Sequence, residues 1–224
     1  MRLPILIAAA ALGVAGAAAA QVPGPARGVA STPGSGPTQS FISPMGEPFR
    51  GKDGQPYPSI VWFNQADANH DGVISRSEFR ADAQRFFKVL DVNGDGKISD
   101  IEIQRYETQV APEIVAFSVP TDAPQDPGTD FKGDTKQETL EHVRQGASFF
   151  SVIDDAEPVR SADADFDNKV TLDEWMAAAD RRYDLLVPDG KDGIRFADLP
   201  KTPYQIAYER QLELKAEAAA KAKK

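Results

Sequence analysis

The sequence predicts an all-α protein, an array of helix–loop–helix units in which short β-bridges join the loops. Two observations indicate this fold class. Acidic segments of twelve residues recur along the chain, and the first two begin 24 residues apart, at Asp67 and Asp91. Large apolar residues recur with them and mark flanking helices, because a helix buries the residues that repeat on one face. Four such segments can be placed, at 67, 91, 163 and 187. Aromatic residues stand four positions before three of them (Phe63, Phe87 and Tyr183), and an apolar residue directly follows all four (Phe79, Ile103, Trp175 and Leu199).

The composition is that of an acidic globular protein. Of the 224 residues, 41% are apolar and 26% are charged, and the formal net charge is −9. An acidic chain is a poor match for nucleic acid, whose phosphates need a basic face, whereas cations are natural ligands for it. The chain contains no cysteine, which excludes disulfides, thiolate catalysis and cysteine-based zinc sites.

Residues 1–20 predict a secretory signal peptide. Arg2 supplies a positive charge, an alanine-rich apolar run follows, and small residues precede a cleavage point at Gln21. The alternative is a membrane anchor, but the run is short and a Pro/Gly-rich segment follows it. We therefore expect a periplasmic or secreted protein with no membrane association after cleavage.

The rest of the chain divides where its composition changes. The expected regions are a flexible Pro/Gly-rich segment at 21–55, two loops that share one helix at 56–112, an acidic linker at 113–138, a third loop with a degenerate fourth at 139–203, and an Ala/Lys-rich C-terminal tail at 204–224. An apolar face that includes Ala147 and Phe150 predicts a helix from Thr139 to Ile153. The tail has high helix propensity but few large apolar residues, so we expect a solvated helix there.

The acidic segments have the ligand pattern of a hard divalent cation. Ca²⁺ takes six to eight oxygen ligands, and a twelve-residue loop supplies them from positions 1, 3, 5, 7, 9 and 12. Position 6 needs a residue that tolerates a sharp turn, usually glycine, and position 8 carries an aliphatic residue that pairs two loops. Three segments fit: loop 1 at Asp67–Glu78, loop 2 at Asp91–Glu102 and loop 3 at Asp163–Glu174.

Each loop has a full set of candidate metal ligands. Loop 1 offers Asp67, Asn69, Asp71, the Val73 carbonyl, Ser75 and Glu78; loop 2 offers Asp91, Asn93, Asp95, the Lys97 carbonyl, Ser99 and Glu102; loop 3 offers Asp163, Asp165, Asp167, the Lys169 carbonyl, Thr171 and Glu174. The Ser75 hydroxyl, at position 9 of loop 1, is expected to act through a water. Loop 3 has four acids instead of three, but Asn168 replaces glycine at its turn, which makes the turn stiffer. We predict three Ca²⁺ sites, with a lanthanide as the alternative ion.

A fourth segment, loop 4 (Val187–Asp198), has lost this pattern. Val187 occupies position 1 and Lys191 position 5, whereas Ile194 keeps the aliphatic bridge position. An ammonium group at a ligand position opposes a divalent ion. We expect loop 4 to be structural and free of metal.

The loops resemble those of the EF-hand family of calcium-binding proteins, over residues 58–106 and 139–200. Their spacing is unusually compact, since Phe79–Leu90 leaves twelve residues for one shared helix. In this respect the chain resembles the lanmodulins, secreted bacterial lanthanide-binding EF-hand proteins, which carry Pro at position 2 and Asp at position 9. Loops 1–3 have Ala or Val at position 2 and Ser or Thr at position 9. Because trivalent ions reward extra carboxylates, this departure favours Ca²⁺.

A short shared helix holds its two loops at opposite ends, so they cannot pair with each other. If the two shared helices pack antiparallel, loop 1 meets loop 4 and loop 2 meets loop 3. The predicted bridges are then Ile74 with Ile194 and Ile98 with Val170. Parallel packing, or pairing of a loop with an extended segment at Pro48 or Pro158, is the alternative.

These features favour a binding protein that acts as a calcium buffer, a sensor or a calcium-stabilised adaptor. A lanthanide-binding protein and an accessory or regulatory subunit of a secreted enzyme are the alternatives. No enzymatic activity is expected: His70 and His142 are the only histidines, and neither belongs to a nucleophile–base motif. A methionine-rich target groove is also not expected, because Met45 and Met176 are the only methionines after residue 1. The sequence does not indicate a protein partner.

Overall fold

The computed structural model describes residues 38–115, 144–187 and 191–222. Its helices and strands, in chain order, are β1 (Thr38–Ile42), β2 (Pro48–Lys52), α1 (Ser59–Ala66), α2 (Arg76–Leu90), β3 (Lys97–Ser99), α3 (Asp100–Arg105), β4 (Lys169–Thr171), α4 (Leu172–Leu186) and α5 (Pro203–Ala222). A π-helical turn (Tyr106–Val110) follows α3, and 3₁₀ turns lie at Pro112–Ile114, Gly146–Phe149, Arg160–Ala162 and Phe196–Asp198. The described chain is mainly helical but contains two small antiparallel sheets. The prediction of an all-α fold is therefore correct for the helices and wrong for the β1–β2 hairpin.

Helices α2 and α4 form the centre of the molecule, and each serves two loops. Both begin with a capping box in which a position-9 hydroxyl residue and a position-12 glutamate exchange hydrogen bonds, Ser75 with Glu78 and Thr171 with Glu174. The apolar faces of the two helices pack together, and the Trp175 indole nitrogen donates to the Ala83 carbonyl at 2.8 Å. The predicted shared helices are confirmed.

The loops pair as the antiparallel arrangement predicts. Strands β3 and β4 place Ile98 opposite Val170, and an isolated antiparallel bridge joins Ile74 to Ile194. The Ile74–Ile194 bridge has two backbone hydrogen bonds of 2.8 and 3.0 Å. Loop 2 therefore lies beside loop 3, and loop 1 beside loop 4, and the parallel alternative is wrong.

The β1–β2 hairpin lies in the segment predicted to be flexible, and that prediction is wrong for residues 38–52. Phe41 pairs with Phe49 across the hairpin, and the Phe41 and Trp62 ring centroids are 5.7 Å apart. Phe41 and Ile42 have no exposed surface. Burial of these side chains outweighs the Pro/Gly content that suggested a flexible segment. Residues 21–37 of that segment lie outside the described residues.

The turn of the hairpin, Ser43–Glu47, inserts among the helices of the hands. Met45 is 2% exposed and contacts Arg182 of α4, with 3.4 Å between Nη1 and Sδ. The Tyr106 hydroxyl donates to the Gly46 carbonyl at 2.8 Å, and Arg85 of α2 forms an ion pair with Glu47. The hairpin is thus part of the core that the four loops surround.

The helix predicted over 139–153 is not formed where it falls in the described chain. Residues 144–153 contain one 3₁₀ turn, Gly146–Phe149, and residues 139–143 lie outside the described part. The backbone here bonds to other segments instead: the Ala147 amide donates to Ala156 at 2.9 Å, and the Phe150 carbonyl accepts from Ile42 at 3.0 Å. Within the described residues 144–162, no α-helix leads into loop 3.

The C-terminal tail is helical, and its first part is docked. Helix α5 begins at Pro203, and Tyr204, Ala207 and Tyr208 are buried. From Leu212 to Ala222 the helix is exposed, in agreement with the solvated tail that the sequence predicts. Residues 116–138 of the expected linker lie outside the described residues. Among the residues described, no helix combines the length and the apolar character needed to cross a membrane.

Candidate metal centre

The first carboxylate of each complete loop is fixed by the amide at its turn. Oδ2 of Asp67 accepts from the Gly72 amide, and Oδ2 of Asp91 accepts from the Gly96 amide, each at 2.9 Å. In loop 3 the equivalent bond joins Asp163 to the Asn168 amide at 3.0 Å. Because the same bond forms in all three loops, their backbones share one conformation between positions 1 and 6.

Positions 3, 5 and 7 of each loop form a second set of repeated bonds. In loop 1 the Asp71 amide donates to Asn69 Oδ1 and the Val73 amide donates to Asp71 Oδ1, both at 2.8 Å. The corresponding bonds run from Asp95 to Asn93 and from Lys97 to Asp95 in loop 2, and from Asp167 to Asp165 and from Lys169 to Asp167 in loop 3. Because the side-chain oxygens bond to local backbone amides, the loop is preorganised and its ligand side chains converge.

The backbone angles at positions 6 and 4 explain which residue types the loops tolerate there. Gly72, Gly96 and Asn168 have φ values of +83°, +82° and +65° at position 6, a region that suits glycine and is tolerated by asparagine. Position 4 is also left-handed, with φ of +58° at His70 and +60° at Phe166. The sequence predicts the first requirement but not the second. His70 is exposed, as expected of a residue outside the ligand set.

The position-12 glutamates hold the two ends of each loop together. In loop 3 the Thr171 hydroxyl and amide donate to Glu174 Oε2 at 2.7 and 2.8 Å, and the Ala164 amide donates to Oε1 at 3.0 Å. The Thr171 bonds hold the pKa of Glu174 below its ordinary value. The carboxylate is therefore negative at neutral pH, and protons compete with a cation for it only in acid.

Glu78 and Glu102 accept the same kinds of hydrogen bond as Glu174, but burial is the largest single effect on their pKa values. Removal from water raises the pKa of each, but hydrogen bonds from Ser75 to Glu78 and from Ser99 to Glu102 outweigh that effect. Both pKa values lie below the ordinary value of a glutamate. All three loops thus present an ionised glutamate where a bidentate calcium ligand belongs.

Loop 3 gives the clearest evidence that these residues fit a cation. One carboxylate oxygen from each of Asp163, Asp165 and Glu174 lies within 4.8 Å of the other two. Asp163 is 9% exposed, and its Oδ1 has no hydrogen-bond partner in the described parts of the chain. Three like charges at this distance repel one another, and a buried carboxylate oxygen without a donor is costly. A divalent cation relieves both costs.

The segment that leads into loop 3 is held by a buried arginine, which the sequence analysis did not single out. Arg182 of α4 donates from Nη2 to the Pro158 carbonyl at 2.6 Å, to Asp155 Oδ2 at 2.8 Å and to Ser161 Oγ at 2.9 Å. These bonds hold residues 155–161 in place, where the described chain has no α-helix. The sequence signal was Pro158, which interrupts a helix at this point.

Loop 4 keeps the bridge but has no acidic residue at ligand positions 1 and 5. Lys191 is exposed at position 5, and Asp192 bonds to Arg195 at 2.9 Å, which lowers the pKa of Asp192. Residues 188–190 lie outside the described chain. In the described part of loop 4 a cationic side chain thus neutralises an acidic one.

Two comparisons with known proteins bear on this site. Residues 60–81 and 83–105 match the model of the family described as EF hand. The probable calcium-binding protein CML34 of Arabidopsis thaliana is 29% identical to the chain over 130 residues, which are 51% of this chain and 91% of the plant protein. No solved structure gives a significant match.

Paired helix–loop–helix hands with converging carboxylates define a metal-binding protein. The family match spans loops 1 and 2, and the geometry of loop 3 repeats theirs. Residues 60–105 therefore resemble a pair of EF hands, and the chain is similar to a probable calcium-binding protein over about half of its length.

Proposed function

We propose that this chain is an extracytoplasmic calcium-binding protein that holds one ion in each of loops 1, 2 and 3 and is braced by them. The observation that carries the proposal is the carboxylate cluster of loop 3, one member of which, Asp163, has a buried oxygen without a hydrogen-bond partner in the described residues. Loops 1 and 2 have the same bonding frame, with an asparagine amide in place of the second acid. Three sites of modest affinity follow, with dissociation constants on the order of 10⁻⁶ to 10⁻⁴ M.

The ligand set favours Ca²⁺ over a lanthanide. At position 9 the Ser75, Ser99 and Thr171 hydroxyls donate to the position-12 glutamates at 2.7 to 2.8 Å, so an ion at these sites meets a neutral group or a water there. A trivalent ion gains most from additional carboxylates. Loop 3, which has four acids, is the loop where a lanthanide competes best.

The packing of the hands favours a buffer or a calcium-stabilised adaptor over a sensor. A sensor of the calmodulin kind opens a methionine-rich groove when it binds calcium. Here Met45 fills the space beside α4 and is 2% exposed, and the hairpin turn covers the helix faces that such a groove would use. Ion binding then stabilises a closed core, because a ligand that binds the folded state alone shifts the folding equilibrium.

Calorimetry of the metal-stripped full chain with Ca²⁺, Mg²⁺ and La³⁺ tests which of these ions the protein binds. We expect saturation by Ca²⁺ at micromolar to submillimolar concentrations and weaker binding of Mg²⁺, which tolerates irregular geometry poorly. Ca²⁺ should raise the temperature of thermal unfolding. A dye such as ANS should detect no newly exposed apolar surface. The proposal fails if Ca²⁺ does not bind at millimolar concentration, and La³⁺ saturation in that case points to lanthanide handling.

The location rests on residues 1–20 and has its own test. In a bacterial host we expect the protein in the periplasmic extract, with an intact mass that begins at Gln21. A full-length mass in the membrane fraction indicates that the apolar run is an anchor.

A further inference from the structure

Loops 1 and 4 touch at Gly193, which precedes the bridge residue Ile194. Gly193 is buried, and it occupies position 7 of loop 4. The side chain of Val73 lies beside it, and Val73 occupies position 7 of loop 1 and offers its carbonyl as a predicted metal ligand. The contact therefore joins a loop without ligands to the backbone of a loop that has them.

The approach of the two backbones at this point leaves no room for a side chain. A methyl group on Gly193 would lie 2.6 Å from Cγ1 of Val73 and 2.7 Å from the carbonyl oxygen of Ile74. Carbon atoms that are not bonded pack at about 3.5 to 4.0 Å. Ile74 O accepts the Ile194 amide at 3.0 Å in the bridge itself, so the conflict involves backbone that is already fixed.

The pair formed by loops 2 and 3 shows that position 7 does not need glycine in general. Lys97 and Lys169 occupy that position and both are exposed. Their strands form a ladder of three residue pairs, with Lys97 opposite Thr171 and Lys169 opposite Ser99. Glycine at position 193 is thus a requirement of the closer, single-bridge contact between loops 4 and 1.

We propose that loop 4 is a positioning element for the ion site of loop 1, and that Gly193 is the residue that holds the Val73 carbonyl in its ligand position. The inference rests on the proposed function, because it assumes that loop 1 binds an ion. Val73 and Ile74 share a peptide bond whose oxygen is the position-7 ligand. A change that displaces Ile74 and the Val73 side chain tilts this peptide.

The test is Gly193→Ala in the full chain, with Ca²⁺ titration followed by NMR at three backbone amides. The amides of Gly72, Gly96 and Asn168 each donate to the first carboxylate of loop 1, 2 or 3, so each reports one site in a single sample. We expect loop 1 affinity to fall about ten- to a hundred-fold, the range for residues that orient a metal ligand. Loops 2 and 3 should keep their affinities.

Two further variants separate positioning from general destabilisation. Ala197→Ser adds one atom to the same loop at an exposed position and should leave loop 1 unchanged. Adding Val73→Ala to Gly193→Ala removes the contact with Cγ1 and should restore part of the loop 1 affinity. If Gly193→Ala does not fold, Ile194→Val loosens the bridge without a clash and should weaken loop 1 alone.

The outcomes discriminate between the two proposals. Unchanged loop 1 affinity in Gly193→Ala, or an equal loss at all three loops, overturns the positioning role. A wild-type Gly72 amide that does not respond to Ca²⁺ overturns the proposed ion in loop 1 instead.

Discussion

Both pairs of hands in this molecule join through their position-8 residues, but only in one pair do both loops carry a full set of candidate ligands. Loops 2 and 3 both carry full sets of candidate ligands, and three residues of each align in a short ladder, Lys97–Ser99 with Lys169–Thr171. Loops 1 and 4 meet at the single bridge between Ile74 and Ile194, and loop 4 has lysine at a ligand position.

The difference shows that pairing and ion binding have separate requirements. Pairing needs an aliphatic residue at position 8 and room for two backbones, and all four loops meet this requirement. Ion binding needs carboxylates at fixed positions, and loop 4 has valine and lysine at two of them, positions 1 and 5. A loop that has lost its ligands can therefore be retained for its bridge, which satisfies backbone groups of its partner.

The largest effect is expected from the bridge residue of the complete pair. Ile98 and Val170 have no exposed surface, so Ile98→Ala should lower the free energy of unfolding by about 3 kcal/mol through lost burial and a cavity. It should also weaken Ca²⁺ binding at both loops 2 and 3. Ile194→Ala is the matched variant in the other pair and should cost similar stability while weakening loop 1 alone. Urea denaturation without metal measures the first effect, and site-resolved titration measures the second; an unaltered loop 3 in Ile98→Ala contradicts the coupling.

Removal of the position-12 carboxylate should weaken Ca²⁺ binding in a complete loop and have no effect on binding in loop 4. We expect Glu102→Gln to weaken Ca²⁺ binding in loop 2 by about a hundred-fold, which corresponds to about 2.7 kcal/mol. Asp198→Asn, at the same position of loop 4, should change no binding constant. Calorimetry of both variants decides this, and loss of a bound ion in Asp198→Asn shows that loop 4 is a metal site.

The turn of loop 3 offers a smaller effect. Asn168 has a φ of +65°, so Asn168→Gly should relieve strain of at most about 1 kcal/mol and tighten Ca²⁺ binding several-fold. Gly96→Asn makes the reverse change in loop 2 and should weaken binding there by a similar factor. Weaker binding in Asn168→Gly would mean that the asparagine side chain itself supports the loop.

The smallest expected effect concerns pH and the segment before loop 3. Burial raises the pKa of Glu157 to about 6, and the Glu107 carboxylate adds to the shift, whereas Arg160 opposes it. The folded state therefore binds this proton more tightly than the unfolded state, so the stabilisation is present in acid and is lost as the pH rises through about 6. Glu157→Gln should be more stable than the wild type at pH 7.5 by less than about 1 kcal/mol, given solvent screening.

Denaturation of the metal-free proteins at pH 4 and pH 7.5 checks this prediction. The difference between variant and wild type should be close to zero at pH 4, because both side chains are then neutral. An equal difference at the two pH values means that Glu157 acts by shape and not by charge.

The metal loops could be predicted from the sequence because their determinants are local. Ligand positions, turn residues and bridge residues all lie within twelve residues. The length of the shared helices excluded pairing of neighbouring loops, and the antiparallel arrangement was one of the alternatives that remained. The β1–β2 hairpin was missed because its stability comes from distant contacts: Phe41 packs on Trp62, and the Tyr106 hydroxyl bonds to Gly46. Composition alone gave the segment the character of a linker.

The helix expected over 139–153 was missed for a related reason. The periodicity of Ala147 and Phe150 is real, since both are buried, but their burial is against the hairpin and α5, where the Phe150 and Tyr204 rings are 5.0 Å apart. A pattern of burial does not distinguish a helix face from a coil that two neighbours hold in place. The backbone bonds to Ala156 and Ile42 decided the outcome.

Native mass spectrometry of the full chain in Ca²⁺ tests the central claim most directly, because it counts the bound ions. We expect a metal-free protein that loads to three ions, and a loss of one ion in each of Glu78→Gln, Glu102→Gln and Glu174→Gln. Four ions in the wild type would contradict the structural role of loop 4. Three ions that persist in Glu174→Gln would contradict the site in loop 3 on which the proposed function rests.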